Sequence, residues 1–112
     1  MIDLNKKIEL CILADFYGNL LTEKQQQIFE MYYQNDMSLF EIAEELKITR
    51  QAVHDSLAKA EQQLYETEKK CGFVEKYNQT KADLLKLQST LDTTDALQAK
   101  ISAQIHKIIT KL

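Results

Sequence analysis

Apolar residues at Leu4, Ile8, Cys11, Ile12 and Phe16 recur every three or four positions, which places them on one face of a helix running from Asp3 to Tyr17. Gly18 stands where such a helix ends in a left-handed residue, and Asn19 continues the turn. Thr22 and Gln25 then have the spacing of a capping box, in which the threonine oxygen accepts from a free backbone N–H and the glutamine side chain reaches back. The helix this box opens covers Glu23 to about Tyr33 and turns Ile28, Phe29, Met31 and Tyr32 inward. After the polar turn Gln34 to Asp36, Ser38 and Glu41 repeat the box, with Met37 and Ile42 at the positions of a hydrophobic staple. The third helix, Leu39 to about Lys47, presents Leu39, Ile42, Ala43 and Leu46 on one side. Ile48 falls in a short break, and Thr49 caps a fourth helix whose buried stripe is Ala52, Val53, Leu57, Ala60 and Leu64. That helix runs on to Lys69 and Lys70, cations suited to a C-terminal dipole, and Gly72 stops it.

Beyond Gly72 the pattern changes. Tyr77, Thr80, Leu84, Leu87, Leu91, Thr94, Gln98, Ile101, Ile105, Ile108 and Leu112 alternate at spacings of three and four, a heptad register. The polar run Asp92 to Asp95 is where this tract either bends into two antiparallel helices or continues as one straight rod of about 60 Å. A straight rod leaves its seam uncovered unless a second chain or the preceding helices pack on it. The chain therefore reads as residues 1–72, a helical core, and residues 73–112, a C-terminal helical or coiled-coil extension that packs on the core or on a partner chain. A seam longer than one small core covers predicts a homo-oligomer, at least a dimer, joined through residues 73–112.

Composition agrees with an all-α class. The 112 residues include two glycines and no proline, too few turn formers for a β sandwich or barrel, while 45% apolar residues exclude a disordered chain. The net charge is -3, unevenly spread: residues 1–60 carry six basic and ten acidic groups, and residues 61–112 eight and seven. That balance argues against coating nucleic acid or membrane by charge alone. No apolar run approaches the ~18 residues of a membrane span, so no signal peptide or membrane insertion is expected and the location reads as cytoplasmic. Cys11 and Cys71 lack C-x-x-C spacing and a nearby histidine pair, which reads as two reduced thiols rather than a disulfide or zinc site.

The segment with functional content is residues 38–60, SLFEIAEELKITRQAVHDSLAKA, a helix, short turn and second helix in the pattern of a helix-turn-helix. Ala43 is small where the helices cross, and Ile42, Leu46, Ile48 and Val53 close the wedge between them. Arg50, Gln51, His54, Asp55 and Lys59 are left outside, so Arg50, Gln51, His54 and Lys59 are the candidate nucleic-acid-binding residues. Glu41, Glu44 and Glu45 form an acidic face on the first motif helix, which disfavours a phosphate backbone and suits a basic partner. The aromatics Phe16, Tyr17, Phe29, Tyr32, Tyr33 and Phe40 read as core or its rim rather than a base-stacking platform. His106 has no metal-ligating residue a helical turn away, and the sequence holds no P-loop, G-x-S-x-G or H-E-x-x-H. No catalytic residue, metal or cofactor is therefore expected.

Two resemblances follow from these strings. The stretch Leu21 to Leu64, above all LTEKQ and SLFEIAEELKITRQAV, resembles the fourth conserved region of bacterial sigma factors, which reads a promoter element with its second helix. From Leu13 to Tyr77, LADFYGNLLTEKQQ, then YY, then SLFEIAEELKITRQAVHD is similar to the YlxM family of small bacterial helix-turn-helix proteins. Asp15, Phe16, Tyr17, Thr22, Lys24, Gln25, Ser38, Glu41, Ile42, Ala43 and Arg50 to Val53 carry that match. The family resemblance implies an all-helical regulator without catalytic activity. It also implies a gene usually adjacent to that of the signal recognition particle GTPase, and hence a role in that pathway. Sigma-type recognition helices usually carry an arginine where Lys59 stands, and Asp55 would repel a phosphate.

Two functions remain open on the sequence. One is a regulatory module of the targeting machinery that contacts the signal recognition particle GTPase or its RNA. The other is a sequence-specific regulator of duplex DNA whose dimer sets two recognition helices about one DNA turn (~34 Å) apart. The second requires Lys24, Lys47 and the basic groups of the recognition helix to converge on one face.

Overall fold

A computed structural model describes residues 3–112. The chain is all-α: α1 (Leu4–Tyr17), a short 3-10 turn (Gly18–Leu20), α2 (Glu23–Phe29), a π-helical turn (Glu30–Gln34), α3 (Leu39–Leu46), α4 (Arg50–Cys71), α5 (Phe73–Ser89) and α6 (Ala96–Lys111). It divides into two compact units, one ending at Gly72 and the other spanning Phe73–Leu112.

The helix starts follow the local chemistry of the sequence. Asp3 accepts from the Asn5 N–H to cap α1, Thr22 and Gln25 exchange both bonds of their box, and Ser38 and Glu41 do the same. Thr49 accepts from the Ala52 N–H at 3.0 Å to open α4. Gly72 closes that helix in the left-handed region at φ 66, where a side chain would be strained. Gly18 departs from expectation, because its φ is -57 and the chain leaves α1 through the 3-10 turn instead of a left-handed residue.

In the first unit α4 is the hub on which α1, α2 and α3 all pack. Its Val53, Leu57, Ala60 and Leu64 meet Ile42 and Ala43 of α3, Ile28 and Phe29 of α2, and Leu10, Leu13 and Tyr17 of α1 in one buried core. Ala52 is exposed and lies outside this stripe.

Two faces differ from the sequence pattern. The stripe Leu4, Ile8, Ile12 and Phe16 of α1 is exposed, and Leu10, Leu13 and Tyr17 are the buried row. Apolar side chains surround α1, so periodicity alone ranks two faces nearly equally, and the fit to α4 selects one. After Phe29 the π turn inserts an extra residue into the helical register, which buries Met31 and Tyr33 and leaves Tyr32 half-buried. Phe40 is exposed on α3, outside the core and its rim.

In the second unit the tract bends. Asp92 accepts from both the backbone N–H and the hydroxyl of Thr94, Gln98 accepts from the Asp92 N–H at 2.6 Å, and Asp95 caps α6 by accepting from Leu97 and Gln98. The bonds from Thr94 hold the Asp92 carboxyl below its usual pKa. The Gln88 amide donates to the Ser102 carbonyl at 3.1 Å, so α5 and α6 run antiparallel with these residues level. The heptad is thus interrupted: Ile105 is buried and Leu84 and Leu91 are half-buried, whereas Leu87, Ile101, Ile108 and Leu112 are exposed.

Candidate functional site

The helix-turn-helix is α3 and α4 joined by Lys47, Ile48 and Thr49. Lys47 adopts a left-handed conformation at φ 56, and the Ile48 N–H donates back to the Ala43 carbonyl at 3.1 Å, which turns the chain sharply out of α3. Ile42, Ala43 and Val53 are buried beneath this turn and fix the crossing of the two helices.

Arg50, Gln51, His54, Asp55 and Lys59 all stand exposed on α4. At about 100° per residue Arg50 and Lys59 point about 180° apart around the helix, so they occupy opposite flanks of its solvent face. Gln51 and Asp55 hold the centre of that face, and the Gln51 amide donates to the Asp55 carboxylate at 2.8 Å. His54 Nδ1 is 3.5 Å from the same carboxylate oxygen. The four candidate residues therefore do not form one basic reading surface, and an acid sits in their midst.

The two flanks open onto different grooves. On one, His54 lines a groove of about 400 Å³ together with Asp3, Lys6, Tyr32, Leu39 and Glu61, a mixed-charge setting. On the other, Lys59 meets Lys24 and Gln25 of α2 across a shallow groove of about 340 Å³ that also contains Ile48 and Asp55. Glu41, Glu44 and Glu45 of α3 are exposed. Glu41 is held below the usual carboxylate range by the bonds it accepts from Ser38, because those bonds favour its charged form.

Other polar contacts in this unit join helices. Tyr33 donates to Glu61, Tyr17 donates to Glu68 at 2.5 Å, and Lys7 reaches Asp36 at 2.7 Å. Sequence spacing gave no signal for these pairs, since their members lie 28 to 51 residues apart. Cys11 and Cys71 are free thiols, and burial pushes the Cys11 thiol pKa up. Among the described residues no cluster of His, Cys, Asp and Glu could hold a metal ion, and no helix is long and apolar enough to cross a membrane.

Comparison with known proteins matches residues 4–107 to the UPF0122 family, described as "Putative helix-turn-helix protein, YlxM / p13 like". The chain is 45% identical over 100 residues to a UPF0122 protein of Desulforamulus reducens, covering 89% of this chain and 86% of that one. It is 48% identical over 82 residues to a UPF0122 protein of Caldanaerobacter subterraneus subsp. tengcongensis, covering 73% and 70%. With a UPF0122 protein of an Exiguobacterium species it shares 41% identity over 100 residues, covering 89% and 94%.

Proposed function

The chain belongs to the UPF0122 family of YlxM/p13-like helix-turn-helix proteins, non-enzymatic regulators, and we propose that it acts in the signal recognition particle pathway by docking on the particle's GTPase or its RNA. The pathway is the one implied by the family resemblance. The observation that carries a docking role is the solvent face of α4, where Gln51 and Asp55 occupy the centre and Arg50 and Lys59 are turned to opposite flanks. A duplex reader gains most of its affinity from phosphate contacts, and an acid centred on the reading face works against them. The exposed glutamates of α3 extend the same unfavourable field and suit a basic partner surface.

A second reading, sequence-specific DNA binding, rests on the groove that brings Lys24 beside Lys59. Binding of the protein to duplex DNA, and in parallel to signal recognition particle RNA with and without its GTPase, measured across a salt series, separates the two. Docking predicts association that depends on the GTPase or the RNA and no sequence preference on duplex DNA. Submicromolar DNA binding with a steep salt slope and a preferred sequence would replace this reading with the second.

A further inference from the structure

In the second unit Val74 and Ile105 are the buried residues, and a two-helix hairpin of this size holds neither disulfide nor metal site among the described residues. Units this small usually need such a staple or an oligomer. The exposed apolar residues of α6, together with Leu112, which follows it, are not scattered. Leu97, Ile101, Ile108 and Leu112 fall within an arc of about 60° around the helix, a straight row beside the line of Gln98, Ser102 and Ile105 that meets α5. They are 40 to 68% exposed. On α5, Leu87 is 52% exposed, and for an antiparallel pair in the register of Gln88 with Ser102 it projects to the same side of the hairpin as the α6 row. The α6 row, with Leu87 beside it, thus gives this side of the hairpin an apolar strip, bordered on α5 by the exposed Lys76, Thr80 and Asp83.

We propose that this side is covered by the same side of a second copy of the chain, giving an isologous dimer whose centre is a four-helix bundle built from two α5–α6 hairpins. The size fits: helices of this length are about 24 Å long and a pair about 20 Å wide, a footprint near 500 Å² before surface relief, on the scale of the ~800 Å² each partner gives to a standard interface.

Charge placement names the arrangement. Asp83 lies five residues before Gln88 and Lys107 five after Ser102, so they stand level on the hairpin, but they face outward along its opposite edges. A two-fold axis parallel to the helices sets α6 of one copy antiparallel to α5 of the other and brings Asp83 of each beside Lys107 of the other. Both edges are closed by opposite charges, and every neighbouring helix pair is antiparallel, as an up-down bundle requires.

The full chain at about 100 µM, examined by light scattering and sedimentation equilibrium, is expected to have twice the 13.0 kDa of one chain. Ile101→Glu combined with Ile108→Glu should return it to one chain with its helical circular dichroism retained in the first unit. Asp83→Lys alone and Lys107→Asp alone should each weaken the dimer at least tenfold, and the two together should restore it. This charge reversal needs no change in the apolar row, so it tests the arrangement even if the glutamate variant loses the hairpin. A single-chain mass for the native protein, a dimer that survives the glutamate pair, or failure of the reversed charges to restore association would overturn the proposal.

Discussion

The Tyr33 phenol donates a hydrogen bond to the Glu61 carboxylate, and Lys6 stands 3.6 Å from the same oxygen, so one α4 side chain gathers the π turn after α2 and the start of α1. Burial and the nearby carboxylate raise the Tyr33 pKa far above its usual 10.0. Tyr33→Phe keeps the ring contact with Phe29 and removes the donor, which should cost about 1.5 kcal/mol in denaturant unfolding. A loss below about 0.5 kcal/mol would mean that Lys6 and water satisfy Glu61 equally well.

The same pair sets an alkaline limit. Because the folded-state pKa is raised, the native chain keeps its proton where the unfolded chain releases it, so the stabilisation is complete below about pH 10 and declines above it. Tyr65, raised by burial and by Glu9, acts in the same sense. Tyr33→Phe should flatten the fall in Tm between about pH 10 and 12, and an unchanged slope would contradict the assignment.

On the acid side the second capping box contributes, as does Asp92 with its bonds from Thr94. Glu41 has a lowered pKa, so its contribution is present above its usual 4.5 and is lost as the pH falls below that value. Ser38→Ala should cost about 1 kcal/mol at neutral pH. Glu41→Gln, which removes the titrating charge and leaves an acceptor for the Ser38 N–H, should shrink the acid-induced loss; an acid limb that is unaltered in that variant would count against Glu41 as its source.

Leu10→Ala and Ile12→Ala form a paired test of which α1 face is buried. Leu10 is fully buried, and its truncation should cost about 2–5 kcal/mol, whereas Ile12 is exposed and should cost under about 1 kcal/mol. The opposite ranking in thermal or urea unfolding would place the other face of α1 against α4.

Arg50→Ala with Lys59→Ala should leave stability within about 0.5 kcal/mol, since both side chains are exposed. The double variant should bind the signal recognition particle components as the native chain does, because the docking surface does not depend on a basic recognition helix. A large loss of binding with an altered salt slope would return Arg50 and Lys59 to the role of phosphate contacts.

What the sequence determined by itself was whatever the chain decides within one turn of itself. Thr22 with Gln25, Ser38 with Glu41, Thr49 and Gly72 mark helix ends through bonds spanning a few residues, so the helix-turn-helix and the class of fold were legible from spacing. The exposed positions of Arg50, Gln51, His54 and Lys59 were legible too, because the buried stripe of α4 leaves no other side for them. Tertiary structure alone decided which of two apolar faces of α1 meets α4 and where the π turn shifts Tyr32 and Tyr33. It also selected the bend at Asp92 to Asp95 over the straight rod, which the sequence had left equally open. Periodicity reports that a face is apolar, but only the competition among packed neighbours selects the one that is covered. The separation of His54 from Lys59 into different grooves has the same origin: their angle around α4 follows from helical geometry, while the neighbours on each flank are supplied by α1, α2 and α3.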